Sequence, residues 1–283
     1  MGFIGSFLDL IVLAGAAWWL LPHVHRFLEA HQQVELNYAG QSIPRGFGIV
    51  LWLLLWLQEL MLQFAHVSSL ETYHRVYLLA ATVIFLIGWT DDLIGSKAIK
   101  GFSGHYRYWL DTKTMSMGAV KAVGTLLAAV WLTASYGSEK TPIWETGVGI
   151  LLLVLMTNTL NLLDVRPGRS LKVYVAMTFL IGVIGLIYWH LPAAEFVPIL
   201  PVCIGAVCLY KLDIGGRGML GDAGANLLGF TLGYEVMITF PWWVQALIIV
   251  GLLLLHKLAE VSSLTRMIER NRLLNWLDRL GRT

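Results

Sequence analysis

The sequence predicts an all-α, polytopic membrane protein with about nine transmembrane helices, its N-terminus outside and an amphipathic helix at a cytoplasmic C-terminus. Three observations predict it: the composition, the spacing of the apolar runs and the placement of the basic residues. Of 283 residues, 57% are hydrophobic and 13% charged, and the mean hydropathy is +0.68. A soluble domain carries roughly 25% charged residues, so one soluble core of this length has no way to hide so much apolar surface. The same figures exclude a disordered chain, and two cysteines exclude a disulfide scaffold. Cys203 and Cys208 lie in one apolar run and read as ordinary lipid- or core-facing residues. A net charge of +2 carries no nucleic-acid footprint.

The apolar runs are taken in order against a template of about 20 helical residues per crossing. They give spans near 3–21, 46–65, 74–90, 117–136, 144–163, 173–190, 194–210, 223–240 and 243–257. Pro22, Pro44, Pro142, Pro192 and Pro241 punctuate their ends. The first span has no basic stretch before it and further spans follow, so it is expected to remain as a helix rather than act as a signal peptide. Seventeen of the 20 Lys and Arg fall in the odd-numbered gaps and the tail. The positive-inside rule then puts those gaps and the tail in the cytoplasm. Residues 1–258 read as one transmembrane domain and 259–283 as a separate tail. In the tail, Leu264, Met267, Ile268, Leu273, Leu274, Leu277 and Leu280 recur at near-helical spacing, opposite Arg266, Arg270, Arg272 and Arg279. Such a helix suits an anionic leaflet or packing against the protein's own loops.

Five acids, Asp91, Asp92, Asp164, Asp213 and Asp222, fall at or near the membrane surface on that same side. Asp91 and Asp92 end the third span, within Gly-Trp-Thr-Asp-Asp-Leu-Ile-Gly, and Lys97, Lys100 and Arg107 follow. Adjacent acids at a helix end suit Mg²⁺ or a base, and the cations suit phosphate; a solvated helix end explains the pair equally simply. Asn158, Asn161 and Asp164 recur at i, i+3, i+6, which puts three hard oxygen ligands on one helical face. Such asparagines also bond neighbouring membrane helices. Arg166, Arg169 and Lys172 follow in a turn with the cations to grip a diphosphate. The last segment, 215–226, is rich in glycine: Gly221 lets the backbone approach a ligand, and Asp222 opens the next span as a candidate metal ligand or a plain N-cap. A further basic-side loop, Asn37 to Gly48, contains Ile43-Pro44-Arg45-Gly46.

In this order the segments resemble the polyprenyl-phosphate N-acetylhexosamine-1-phosphate transferase superfamily, over about residues 1–258. That superfamily includes phospho-N-acetylmuramoyl-pentapeptide transferase and undecaprenyl-phosphate N-acetylglucosamine-1-phosphate transferase. The resemblance implies transfer of a sugar-1-phosphate from a UDP-N-acetylhexosamine to a polyprenyl phosphate, with release of UMP, to initiate a cell-envelope glycan. It implies Mg²⁺, a site on the cytoplasmic face of a bacterial inner membrane, and a possible homodimer. Carried over by motif, Asp91, Asp92 and Asp164 are catalytic, and Asp222 binds the metal with Asn161. Asn158, Asn161, Lys97, Lys100, Arg166, Arg169 and Gly221 then contact substrate.

Two departures stand out. The superfamily's Asp-Gly-x-Asp-Gly reads Asp164-Val165-Arg166-Pro167-Gly168 here, so Pro167 replaces the second acid. The usual histidine-bearing loop is missing, leaving His256 at the end of the ninth span. A catalytically silent relative that binds a lipid carrier or a protein partner is therefore an alternative. A transporter is another, although its acids belong near the bilayer midplane.

Overall fold

The computed structural model describes residues 3–65, 71–94, 116–137 and 141–282. Their elements are α1 (Phe3–Ala30), a hairpin of β1 (Val34–Leu36) and β2 (Ser42–Pro44), α2 (Gly48–Phe64), α3 (Glu71–Ile94), α4 (Met117–Tyr136), α5 (Ile143–Leu163) and α6 (Arg169–Ile187). A 3-10 turn (Ala193–Ile199) then runs into α7 (Leu200–Ile214), followed by α8 (Gly221–Thr239), α9 (Trp242–Val261), α10 (Leu264–Arg270) and α11 (Arg272–Arg279). The protein is an all-α membrane protein. Each of the nine expected spans coincides with a helix, and among the described residues seven are long and apolar enough to cross a bilayer. The others are α2, apolar but only 17 residues long, and α8.

α8 differs for a physical reason. It carries Asp222, Glu235 and glycines at 221, 224, 229 and 233, and nearly every residue is buried by protein. It is the central post of the bundle, packed chiefly against α5 and α3, then α6 and α2. A Cβ on Gly229 would lie 2.5 Å from the Met156 carbonyl oxygen, so the missing side chain is what lets α5 approach. The outer helices point large apolar residues outward, as a lipid-facing surface requires; Phe179 is 73% and Leu247 67% exposed.

α1 continues through Pro22 to Ala30, past the expected end at residue 21. The proline deletes a helical N–H, a break that membrane helices tolerate. Much of the loop before the second span belongs to a small antiparallel hairpin, Val34 opposite Pro44 and Leu36 opposite Ser42. Asn37 closes it: its Oδ1 accepts from the N–H groups of Ala39 and Gln41, both at 2.9 Å.

That hairpin also positions the glycine-rich segment before α8. Asn37 Nδ2 donates to the Gly216 carbonyl at 3.2 Å, and Met219 N–H donates to Pro44 O at 2.8 Å. The N–H groups of Gly46 and Phe47 both reach Met219 O, and that of Gly48 reaches Leu220 O. Two segments some 170 residues apart are thereby tied by backbone at the start of α8. A Cβ on Gly48 would stand 2.3 Å from Gly224 N, so this junction needs a residue without a side chain.

Candidate active site

The end of α3, the first turn of α4, the start of α8 and the exit of the hairpin meet at one end of the bundle. Asp92 is almost wholly inside, its side chain 3% exposed. Its Oδ1 accepts from Asp222 N–H at 2.8 Å and its Oδ2 from Ala223 N–H at 3.0 Å. It therefore caps α8 from another helix, placing a carboxylate where the α8 dipole favours an anion. Gly221 makes this capping feasible: its φ is +77°, and a Cβ would lie 2.6 Å from Asp92 Oδ2. Arg45 Nη2 pairs with Asp92 Oδ1 at 2.5 Å and lies 3.7 Å from Asp222 Oδ1, while its Nη1 pairs with Glu35 at 2.8 Å.

Asp91, one residue back, faces a different group. Lys121 of α4 donates to Asp91 Oδ2 at 2.9 Å and to Asp222 Oδ2 at 2.5 Å. The Asp91 and Asp222 carboxyls also lie within hydrogen-bonding reach of each other. Three carboxylates thus share two cations, Lys121 and Arg45. Neither cation was singled out among the candidate residues of the sequence. A signal existed for Lys121, a lone charge just inside an apolar span, since charge in that setting is costly and needs a partner. For Arg45 it was the position immediately after Ile43-Pro44.

A second acid group lies beside the first. Asp164 ends α5 and accepts from the Ser170 hydroxyl at 2.5 Å; Asp213 at the end of α7 accepts from Gly168 N–H at 2.6 Å. Burial, then the Asp213 carboxylate, push the Asp164 carboxyl up to about 8, against the lowering effect of the Ser170 hydrogen bond. Asp222 and Asp92 push it the same way from farther off, so the two groups feel one another.

The remaining candidates fall in different places. Asn161 is half-buried and Asn158 exposed, and among the described residues neither side chain has a hydrogen-bond partner. Arg166 is half-buried, 5.7 Å above the Tyr38 ring of the hairpin and 3.7 Å from Glu269. Arg169 does not present its charge to the site: its side chain is 4% exposed and forks onto Asp278 of α11 at 2.8 and 3.0 Å. Lys172 likewise turns to the tail, where its Nζ bonds the Leu277, Asp278 and Leu280 carbonyls. His256 bonds the Leu252 carbonyl of its own helix. Lys97, Lys100 and Arg107 lie outside the described residues.

The donor set decides whether a divalent ion suits this site. Among the described residues no three His, Cys, Asp or Glu side chains form an all-protein cage. Mg²⁺ does not ask for one; it is held by one or two carboxylates, with water and substrate phosphate filling its octahedron. Asp91 and Asp222 already converge on one cationic point, the Lys121 ammonium, and that pair fits the ion. Asp92 has both oxygens engaged by backbone and Arg45, so it orders the α8 terminus instead.

In an all-helical membrane protein, a lysine, an arginine and helix-opening N–H groups gathered among acids make a setting that suits phosphate groups. The model of glycosyl transferase family 4 matches residues 74–240, and the chain belongs to that family of polyprenyl-phosphate hexosamine-1-phosphate transferases. The matched stretch runs from α3 to the end of α8 and so includes Asp91, Asp92, Lys121, Asp164 and Asp222. No curated protein matches the chain.

Proposed function

We propose that the protein moves a sugar-1-phosphate from a UDP-N-acetylhexosamine to undecaprenyl phosphate, releasing UMP, at the cytoplasmic face of a bacterial inner membrane. Membership of the family supplies the coarser statement, sugar-phosphate transfer to a polyprenyl phosphate. The single observation that carries the finer one is the convergence of Asp91 and Asp222 on Lys121, at 2.9 and 2.5 Å, beside the Arg45–Asp92 pair.

The chemistry follows from charge. A lipid phosphate attacking a diphosphate brings like charges together, so the site has to neutralise them. Asp91 and Asp222 would hold a Mg²⁺ ion, which would supply that neutralisation and stabilise the leaving UMP. Lys121 and Arg45 stand where they can turn from carboxylate to phosphate oxygens as substrate arrives. Arg166 is the cation of the neighbouring loop left in position to meet the donor. Burial and the Asp213 carboxylate push the Asp164 carboxyl up to about 8, which suits it to hold or release a proton at working pH. The acceptor reaches the site along the bilayer and the donor from water, which fits a cluster at the end of the bundle rather than at its middle.

The test is a panel of UDP-N-acetylhexosamines offered to the purified full chain with undecaprenyl phosphate and Mg²⁺. UMP release from one of them that disappears with chelator supports the reading. Binding of donor with no UMP release from any of them overturns it in favour of a silent relative.

A further inference from the structure

α11 has two faces that do different things. On one, Leu273, Trp276, Leu277 and Leu280 recur at i, i+3, i+4 and i+7 and are 64, 59, 44 and 49% exposed. On the other, Asp278 is 8% exposed at its side chain and is gripped by Arg169 and by Arg282, whose Nη atoms sit 2.9 Å from its two oxygens. Burial alone would raise the Asp278 carboxyl, but the two arginines hold it down at about 2. Arg282 Nε also donates to the Pro167 carbonyl at 2.7 Å, and Arg169 Nη1 reaches Thr265 of α10 at 3.3 Å. The buried face therefore clasps the 164–170 loop, in which Asp164 and Ser170 are bonded to each other.

Among the described residues nothing covers the exposed face, and its position and charge point to an occupant. α9, one of the helices able to cross a bilayer, ends at Val261, and only Ser262 and Ser263 separate it from α10. The tail thus starts at the lipid–water boundary, where an apolar stripe next to arginines is at home. Arg266, Arg270, Arg272 and Arg279 are exposed, and Arg266 and Arg270 line a groove with Ser262, Ser263 and one acid, Glu260, where the two arginines outnumber the carboxylate facing a lipid phosphate. We infer that the tail is a lipid-surface latch. Its apolar stripe and arginines bind anionic phospholipid headgroups, and its Asp278 face holds the Asp164 loop in its working position. This rests on the tail's geometry and holds whichever donor the site uses.

The test is hydrogen–deuterium exchange of the full chain in nanodiscs of phosphatidylcholine, with and without phosphatidylglycerol. Phosphatidylglycerol is expected to slow exchange across 264–280 and across 165–170 together, by about fivefold for each arginine engaged. A Leu273→Ser/Trp276→Ser variant, checked for an unchanged melting temperature of the bundle, loses both responses. Asp278→Asn keeps the tail response and loses that of the loop. Exchange indifferent to phosphatidylglycerol overturns the inference, as does a tail that responds without the loop. Protection that follows protein concentration instead of lipid also overturns it, since a second copy then covers the stripe.

Discussion

Asp92 and Asp164 sit at the same end of the bundle, yet different partners face them: cations and N–H groups for Asp92, a hydroxyl and another carboxylate for Asp164. Asp92, with Asp91 and Asp222, faces Arg45, Lys121 and the N–H groups opening α8. Asp164 faces a serine hydroxyl and a second carboxylate, and Arg169, expected to grip a diphosphate, is turned onto the tail. The first group carries its own balancing cations, which a ligand's phosphates can take over. The second is built to hold a proton. Acids that look alike in a sequence are thus divided by what faces them, as like residues with different environments usually are.

The comparison predicts unequal losses. Asp222→Asn removes the anion beside Lys121 and is expected to lower the rate of UMP release by about 10³-fold. Asp164→Asn removes only a proton carrier and is expected to cost about 10²-fold. Steady-state release assays on both variants check the order, and a reversed order breaks the division of roles. Next in size is Arg169→Ala. Breaking a buried pair usually costs about 3–5 kcal/mol, but Arg282 still holds Asp278, so a loss of about 2–3 kcal/mol is expected in denaturant unfolding in detergent. If Arg169 contacted substrate instead, the rate would fall with stability unchanged.

Gly221→Ala comes third. At φ +77°, with Asp92 Oδ2 2.6 Å from the new Cβ, it is expected to cost about 1–3 kcal/mol by thermal unfolding and to lower activity by displacing Asp92. The smallest effect is a trend with pH. The Asp164 carboxyl is raised in the fold, from 3.8 to about 8, so its contribution to stability is fully present below 3.8 and is lost as pH rises through 8. Asp278 is depressed from 3.8 to about 2, so its contribution is present above 3.8 and is lost as pH falls toward 2. Melting temperatures of wild type minus Asp164→Asn are expected to decline between about pH 4 and pH 8; those of wild type minus Asp278→Asn, to decline only on acidification below about pH 4.

Much of this was legible in the sequence. Apolar runs of bilayer length report their helices directly, because the demand for internal backbone hydrogen bonding leaves few alternatives. The acids were legible because charge is scarce in such a chain. Pairing was less so. That Asp92 caps α8, and that Arg45 and Lys121 balance the carboxylates, depends on segments far apart in sequence being tied together, as Asn37 and Met219 tie the hairpin to the α8 start. Arg169 and Lys172 read as phosphate cations because the tail that engages them lies about 100 residues away. The hairpin itself has strands of three residues, too short for alternation to register.

The central claim is that ligand charge is met between Asp91, Lys121 and Asp222. Thermal unfolding of the full chain with and without Mg²⁺ plus UDP tests it without depending on turnover. The expected result is stabilisation of wild type and of Asp164→Asn that is abolished in Asp222→Asn. Stabilisation that persists undiminished in Asp222→Asn would contradict the claim and place the ligand elsewhere.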